Sequence, residues 1–167
     1  MRRGTRPIGR FAAPVATVLV AMACGGRPAG PVVVRDPSYV VARPVRSIAD
    51  ATHTIPVELP GGRPGFAAAE PLFDMNSFDL RAAEFAGGRT SVVGEAAIWV
   101  PLKPEARPRF ADWVGHADGD LLGIFLQGRL VTAPRVKEPI GGILVPVKGK
   151  TEGDRVLATL RNGGAPG

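Results

Sequence analysis

A short apolar run that ends at the chain's only cysteine is the feature that most limits how this sequence can fold. The 167-residue chain opens with ten residues that carry four arginines and no acidic side chain, and an apolar stretch, Phe11 to Ala23, follows. As a helix, at about 1.5 Å per residue, this stretch would span roughly 20 Å, short of the ~30 Å hydrocarbon core of a bilayer. The pattern therefore predicts a secretory signal peptide over residues 1–23 rather than a spanning helix.

Cys24 follows this run within Ala21-Met22-Ala23-Cys24, which resembles a bacterial lipobox. The resemblance implies that the Cys24 thiol is acylated and becomes the mature N-terminus, which would anchor the protein in a membrane. Ala21 and Met22 differ from the residues usual in a lipobox, so an ordinary signal peptide or an uncleaved anchor remain the alternatives. With no second cysteine there is no intramolecular disulfide, and the folded part must be stabilised by its core.

The formal net charge of +6 overstates the basicity of the processed protein. Loss of the four leader arginines from 21 basic side chains leaves 17, against 15 acidic ones. Nucleic-acid binding requires a concentrated basic surface, and none remains after this loss. We therefore expect no nucleic-acid partner.

Composition divides the chain after the signal peptide into three parts. Residues 24–31 are rich in glycine and proline and predict a flexible tether. Residues 32–69 hold two β-branched runs, Val32–Val34 and Tyr39–Val41, and one further candidate strand, Thr54–Leu59, among turn-forming residues. We interpret this part as a loosely attached extension with short strands, and residues 70–166 as the folded domain.

Local patterns become clearer from residue 70 onward. Residues 70–73 form a candidate strand, and Asn76 or Ser77 could cap a short helix after it. The apolar run from Ala96 to Leu102 predicts a buried strand. Phe110, Trp113 and Val114 recur at helical spacing, in a helix that starts near Pro108 or kinks there.

The last third of the domain carries the sharpest signals. Gln127-Gly128 predicts a two-residue hairpin turn, and Gly142–Val147 predicts a strand. A final helix has a capping-box-like pair, Thr151 and Asp154, and an apolar face of Val156, Leu157 and Leu160. Strands interleaved with a few helices predict an α+β fold, a small mixed or antiparallel sheet with helices packed on one face.

Several motifs in residues 70–166 resemble the head subdomain of the first periplasmic domain of the protein-export subunits SecD and SecDF. PLFDMNSFDLRAAEF and KPEARPRFADWVG are similar to the first strand and the helices of that subdomain. The later matching elements are Gly128-Arg129, Val131-Thr132-Ala133-Pro134, Glu138-Pro139-Ile140, Gly141-Gly142, Thr151 to Leu160 and Gly164-Ala165-Pro166. The resemblance implies the fold of that subdomain and a part in protein export or envelope protein handling.

The sequence also departs from the family. Gln127 stands where the family usually has aspartate, Pro108 interrupts a helix, and the Gly-Gly segment is shortened. The sequence has no counterpart of the family's transmembrane bundle, which carries the ionisable groups that proton-driven transport needs. We therefore expect the fold to carry over without the transport chemistry.

No set of residues has the spacing of a catalytic or metal site. His53 and His116 are the two histidines, and neither lies in a metal-ligand pattern. Asp118 and Asp120 follow His116 on an Asp-Gly-Asp turn, which more often is a solvated loop than a cation site. We predict no catalytic residue, metal or cofactor, and leave a small envelope hydrolase using His116, Asp118 and Asp120 as the alternative.

The sequence thus predicts a membrane-tethered, non-enzymatic binding or accessory module of the bacterial cell envelope, outside the cytoplasm. The membrane, through a lipid anchor at Cys24, is one expected partner, and extended polypeptide or a membrane protein is the other. An exposed sheet edge could add a strand from such a polypeptide. A structural envelope lipoprotein without a defined client is the alternative.

Overall fold

The computed structural model describes residues 38–86 and 96–165. The predicted signal peptide, the lipidation site Cys24, the tether over residues 24–31 and the Val32–Val34 run all lie outside the described residues.

Two antiparallel sheets and two α-helices make up the described fold. The strands are β1 (Val40–Arg46), β2 (His53–Leu59), β3 (Arg63–Ala68), β4 (Glu84–Phe85), β5 (Ala96–Pro101), β6 (Leu121–Leu126), β7 (Arg129–Thr132) and β8 (Gly142–Val147), and the helices are α1 (Arg107–His116) and α2 (Gly149–Arg161). One sheet has the order β2-β3-β1-β6-β7 and the other the order β4-β5-β8. The predicted α+β class is confirmed, with the strands divided between two sheets.

Strand β1 lies in the middle of the five-stranded sheet, between β3 and β6. Val40 and Ala42 are buried in the larger core, and Val41 and Val45 in a second, smaller core that also contains Phe125. A run of consecutive apolar residues is typical of a strand that is buried on both faces. Residues 40–68 are therefore not a loosely attached extension, as the sequence suggested, because they supply three strands of the main sheet.

The larger core lies where the two sheets and the helices meet. Phe110 of α1 is completely buried against the ring of Phe73, edge to face, with the ring centroids 5.5 Å apart. The apolar face predicted for the final helix is confirmed, since Val156, Leu157 and Leu160 are all buried in this core. Burial of these side chains stabilises the packing of α2 on the three-stranded sheet.

Several local predictions are corrected at the ends of elements. Residues 70–73 do not form a strand, and only Phe73 makes an isolated bridge, to Ala42. Two 3₁₀ turns follow in place of the short helix, and they are capped by Asp74 and Asp79 rather than by Asn76 or Ser77. Asp is as good a cap as Asn or Ser, so the sequence pattern allowed all of these choices.

The two α-helices begin close to the predicted positions. Helix α1 starts at Arg107 after a 3₁₀ turn, Pro104–Ala106, which places Pro108 in its first turn as expected. Helix α2 starts at Gly149, and the carboxylate of Glu152 in its first turn accepts a hydrogen bond from the backbone N–H of Lys148, the N-cap residue. The expected Thr151 and Asp154 pair is not the cap, because Asp154 instead binds Lys150 Nζ at 2.8 Å.

Candidate functional site

An apolar groove runs along strand β8, between this strand, strand β6 and the loop over residues 133–141. The groove encloses about 460 Å³. Its floor is formed by the buried side chains of Leu122, Ile124 and Ile143, each about 1% exposed, and Leu144 and Pro146 line its side. A concave, mostly apolar surface of this size is a candidate binding site.

Among the strands that the structure describes, β8 presents an unpaired backbone edge to this groove. In the neighbouring strand β5, the carbonyl of Ala97 accepts from Ala86 and that of Pro101 accepts from Asp79, both on the side away from β8. The backbone polar groups of successive strand residues alternate in direction. The residues that pair with Ala97, Trp99 and Pro101, which are Pro146, Leu144 and Gly142, therefore turn their backbone polar groups outward.

Proline supports this assignment of the edge. Pro146 has no N–H to give to a ladder, so it fits in β8 only where its nitrogen faces away from β5. Leu144, two residues earlier, has the same orientation and keeps both its N–H and its C=O. Within the described residues, β8 is an edge strand of the three-stranded sheet. Among the β8 residues that line the groove, Leu144 is therefore the one where an added strand could form a pair of backbone hydrogen bonds.

The loop over residues 133–141 forms the outer wall of the groove and is pinned at both ends. The backbone N–H of Leu122 donates to the carbonyl of Pro134 at 2.9 Å, and that of Leu102 donates to the carbonyl of Gly141 at 2.8 Å. Between these points, Ile140 is 43% exposed beside the groove. Because both ends of the loop are fixed by hydrogen bonds, the exposed Ile140 side chain offers an apolar contact to a binding partner.

Charged side chains surround the apolar floor. Arg135, Lys137 and Glu138 lie in the loop and line the groove's rim, and all three are exposed. The Ala133-Pro134 and Glu138-Pro139-Ile140 motifs, noted in the sequence only as family-like loop features, thus form one wall of the site. Apolar contact inside and charge at the rim is the usual anatomy of a protein-binding surface.

The three residues of the hydrolase alternative, His116, Asp118 and Asp120, line one open depression, but their side chains are not bonded to one another. His116 is exposed at the end of α1, where its Nδ1 lies 2.8 Å from the Asp112 carbonyl oxygen. Asp118 is exposed on the following turn, whereas Asp120 is buried and faces Arg46 and His53. The described residues contain no group of three or more His, Cys, Asp or Glu side chains arranged to hold a metal ion.

Asp120 belongs instead to a polar cluster that the sequence did not predict. Its carboxylate accepts a hydrogen bond from Arg46 Nε, and a second carboxylate, Asp50, lies 3.0 Å from Arg46. His53 is buried between the two acids, with Nδ1 2.9 Å from Asp50 Oδ1 and Nε2 3.7 Å from Asp120 Oδ2. We call Arg46, Asp50, His53 and Asp120 the polar cluster.

Hydrogen bonds in the polar cluster shift the pKa values of two members. Several hydrogen-bond donors lower the pKa of Asp50 well below its usual 3.8. The backbone N–H of His53 has the largest effect, followed by the His53 and Thr52 side chains. The hydrogen bond to Asp120 raises the pKa of Arg46. Asp-x-Thr is a sequence signal for such a turn at Asp50, but no local pattern indicates the distant Asp120.

Two comparisons with known proteins confirm the resemblance to a SecD/SecDF periplasmic domain. No family model matches the chain. Over 76 residues it is 30% identical to the protein translocase subunit SecD of Acidaminococcus fermentans, a match that covers 44% of this chain and 18% of the relative. None of the helices among the described residues is long and apolar enough to cross a membrane.

A solved structure of "a membrane component SecDF that enhances protein export" has a similar fold, with a TM-score of 0.54 and 18% identity. The likeness covers 75% of this chain and 63% of that one. The chain thus spans less than two thirds of either relative. At this identity the structural likeness concerns the fold alone.

Proposed function

We propose that this chain is a membrane-tethered accessory module of the bacterial cell envelope that binds extended polypeptide outside the cytoplasm, without catalysing a reaction. The proposal is supported by the resemblance to SecD and SecDF, the second of which enhances protein export as a membrane component. The observation that carries it is the edge of β8, unpaired in the part of the chain that the structure describes, beside an apolar groove.

Binding would occur by strand addition. A polypeptide in extended conformation pairs with the N–H and C=O of Leu144, and every second side chain then points toward the floor formed by Leu122 and Ile143. Backbone hydrogen bonds do not depend on sequence, and each adds about 0.5–1.5 kcal/mol. Apolar side chains on the groove side add about 25 cal/mol per Å² of surface buried.

Strand addition at this edge suits transient binding of a client polypeptide. Pro146 gives the edge an acceptor but no donor, so the ladder that an added strand can form is short. The affinity then depends mainly on the apolar content of the bound segment. A module of this kind favours unfolded over folded clients, because folded proteins keep their apolar segments buried.

The edge of β8 can be tested with a proline substitution. Leu144→Pro removes the outward N–H but leaves the hydrogen bonds to β5 in place, and Pro146 shows that this edge accepts proline. We expect the substitution to weaken binding of a fluorescent, valine-rich extended peptide about tenfold, because it removes one backbone hydrogen bond and the apolar contacts of the leucine side chain.

The matched control lies on another sheet edge. Glu58 of the edge strand β2 pairs with Pro64, which has no N–H, so its own N–H also faces outward. Glu58→Pro is expected to leave peptide binding unchanged. Equal binding by the wild type and Leu144→Pro, with both folded by circular dichroism, would contradict strand addition at β8.

Tethering at Cys24 is a separate part of the proposal, supported by the lipobox-like sequence. We expect the protein expressed in bacteria to incorporate radiolabelled palmitate and to be recovered with the membranes. The Cys24→Ser variant should lose both properties. Unlabelled wild-type protein would contradict the anchor and leave the test of the groove unaffected.

A further inference from the structure

The imidazole of His53 lies between two carboxylates from distant parts of the chain. Its Nδ1 is 2.9 and 3.0 Å from the two oxygens of Asp50, in the loop before β2. Its Nε2 is 3.7 Å from Asp120 Oδ2, in the turn before β6. The residue is only 5% exposed. The ring therefore bridges two segments whose only other side-chain link, among the described residues, is Arg46.

The two ring nitrogens have different partners. A carboxylate only accepts hydrogen bonds, so in the neutral ring the proton sits on Nδ1 and is donated to Asp50. Nε2 then is an acceptor that faces another acceptor, and within the described part of the chain this buried atom has no hydrogen-bond partner. A buried polar atom in this state costs free energy.

The charged groups around the ring come from three segments. Asp50 and Asp120 face it directly, and Arg46, at the end of β1, contacts both of these acids. Arg43, also on β1, donates to the backbone carbonyls of Ala68, which pairs with His53, and of Ala69. The Thr52 hydroxyl lies 2.9 Å from Nδ1. Within the described residues, none of these groups donates a hydrogen bond to Nε2.

We propose that His53 is a pH-dependent clasp between the start of β2 and the turn that leads into β6. When the ring takes up a second proton, Nε2–H becomes a donor, and the 3.7 Å gap can close into a charge-assisted hydrogen bond to Asp120. Imidazole is the side chain that ordinarily changes charge between about pH 5 and 8. The bond exists only in the protonated form, so the stability it adds is present at lower pH and lost as the pH rises.

The clasp lies next to the groove but does not depend on what the groove binds. Asp120 is two residues before Leu122, which contributes to the groove floor and holds the loop through the Pro134 carbonyl. A firmer turn at Asp120 would therefore steady one wall of the groove. Unfolding and protonation of the ring can both be measured without any ligand.

The test compares urea unfolding of the full chain at pH 8 and pH 5.5. For the wild type, we expect the unfolding equilibrium constant to be about tenfold smaller at pH 5.5, the effect of one charge-assisted hydrogen bond. His53→Gln, which keeps a polar side chain but cannot titrate, should lose this difference. The chain has only two histidines, so His116→Gln, at the exposed end of α1, is the matched control and should retain it.

A measurement on the wild type keeps the inference falsifiable if His53→Gln does not fold. The ¹⁵N chemical shift of His53 Nε2 should change from the value of an unprotonated ring nitrogen at pH 8 to that of a protonated one at pH 5.5. A ring that remains neutral at pH 5.5 in the folded protein would overturn the clasp. The same holds for a pH difference that persists in His53→Gln or disappears in His116→Gln.

Discussion

The ring of Phe73 meets the ring of Phe110 edge to face, with their planes at 85°. Phe73 exchanges two backbone hydrogen bonds with Ala42 of β1, at 2.9 and 3.0 Å, whereas Phe110 belongs to helix α1. Arg109, which precedes Phe110 in α1, places its guanidinium group over the Phe73 ring, 5.1 Å from the ring centroid. This aromatic pair therefore fastens α1 to the central strand of the five-stranded sheet.

Removing one ring of this pair should lower the free energy of unfolding more than most single substitutions do. Phe110 has no exposed surface, so Phe110→Ala leaves a cavity and should lower the free energy of unfolding by about 3–5 kcal/mol. Phe66 of β3, which is only partly buried, is the control, and Phe66→Ala should cost clearly less. Urea denaturation measures both values, and equal losses would argue against the central place of Phe110.

The two adjacent glycines at the end of the groove loop should differ in their tolerance of a side chain. A Cβ at Gly142 would lie 2.5 Å from the carbonyl oxygen of Val100, whereas a Cβ at Gly141 would meet nothing within 4 Å. Backbone must move to admit alanine at Gly142, so Gly142→Ala should destabilise the fold by about 1–3 kcal/mol.

Gly141→Ala is the matched control and should stay within about 0.5 kcal/mol of the wild type. Thermal unfolding of the two variants compares them directly. If both were equally tolerated, the close packing of β8 against β5 at Gly142 would be contradicted.

The β6–β7 hairpin contains a residue that could be improved. Gln127 has a φ of 49°, in the left-handed region that side chains other than Asn and Gly seldom adopt. Gln127→Asn should stabilise the fold by about 0.5–1 kcal/mol, because Asn-Gly is a favoured two-residue turn. Gln127→Ala offers no such relief, and an equal rise in melting temperature for both variants would contradict this explanation.

Elements with strong local signals could be predicted from the sequence. The apolar face of α2, the β8 strand and the Gln127-Gly128 hairpin each depend on residues close together in the chain, and the structure has all three. Local turn chemistry was less decisive. The sequence does not single out Asp74 and Asp79 as caps, because several neighbouring residues cap equally well.

The pairing of strands that are far apart in the sequence could not be predicted. Val40 to Val45 pairs with Leu121 to Leu126, and no periodicity in either segment specifies the other as its partner. The sequence indicates only an Asp-Gly-Asp turn at Asp120, and its partner Arg46 lies 74 positions earlier, too far for a local pattern to show. The groove has no sequence signal for the same reason, since it forms only when β6, β8 and the loop over residues 133–141 come together.

Acid should weaken the fold through Asp50. Hydrogen bonds in the native turn hold the pKa of this carboxyl below 3.8, its ordinary value and the one expected in the unfolded chain. A group with a depressed pKa in the folded state contributes stability above the unfolded value and loses it as the pH falls. Asp50→Asn should therefore be less stable than the wild type at pH 6, and the difference should shrink below about pH 4.

Urea unfolding at pH 6 and pH 3 measures this difference in the free energy of unfolding. The control is Asp118→Asn, on an exposed turn, for which we expect a smaller change. A stability difference between the wild type and Asp50→Asn that stays constant from pH 6 to pH 3 would contradict the depressed pKa of Asp50, because interactions that favour the ionised carboxylate, including those with the N–H groups of Thr52 and His53, make this difference depend on pH.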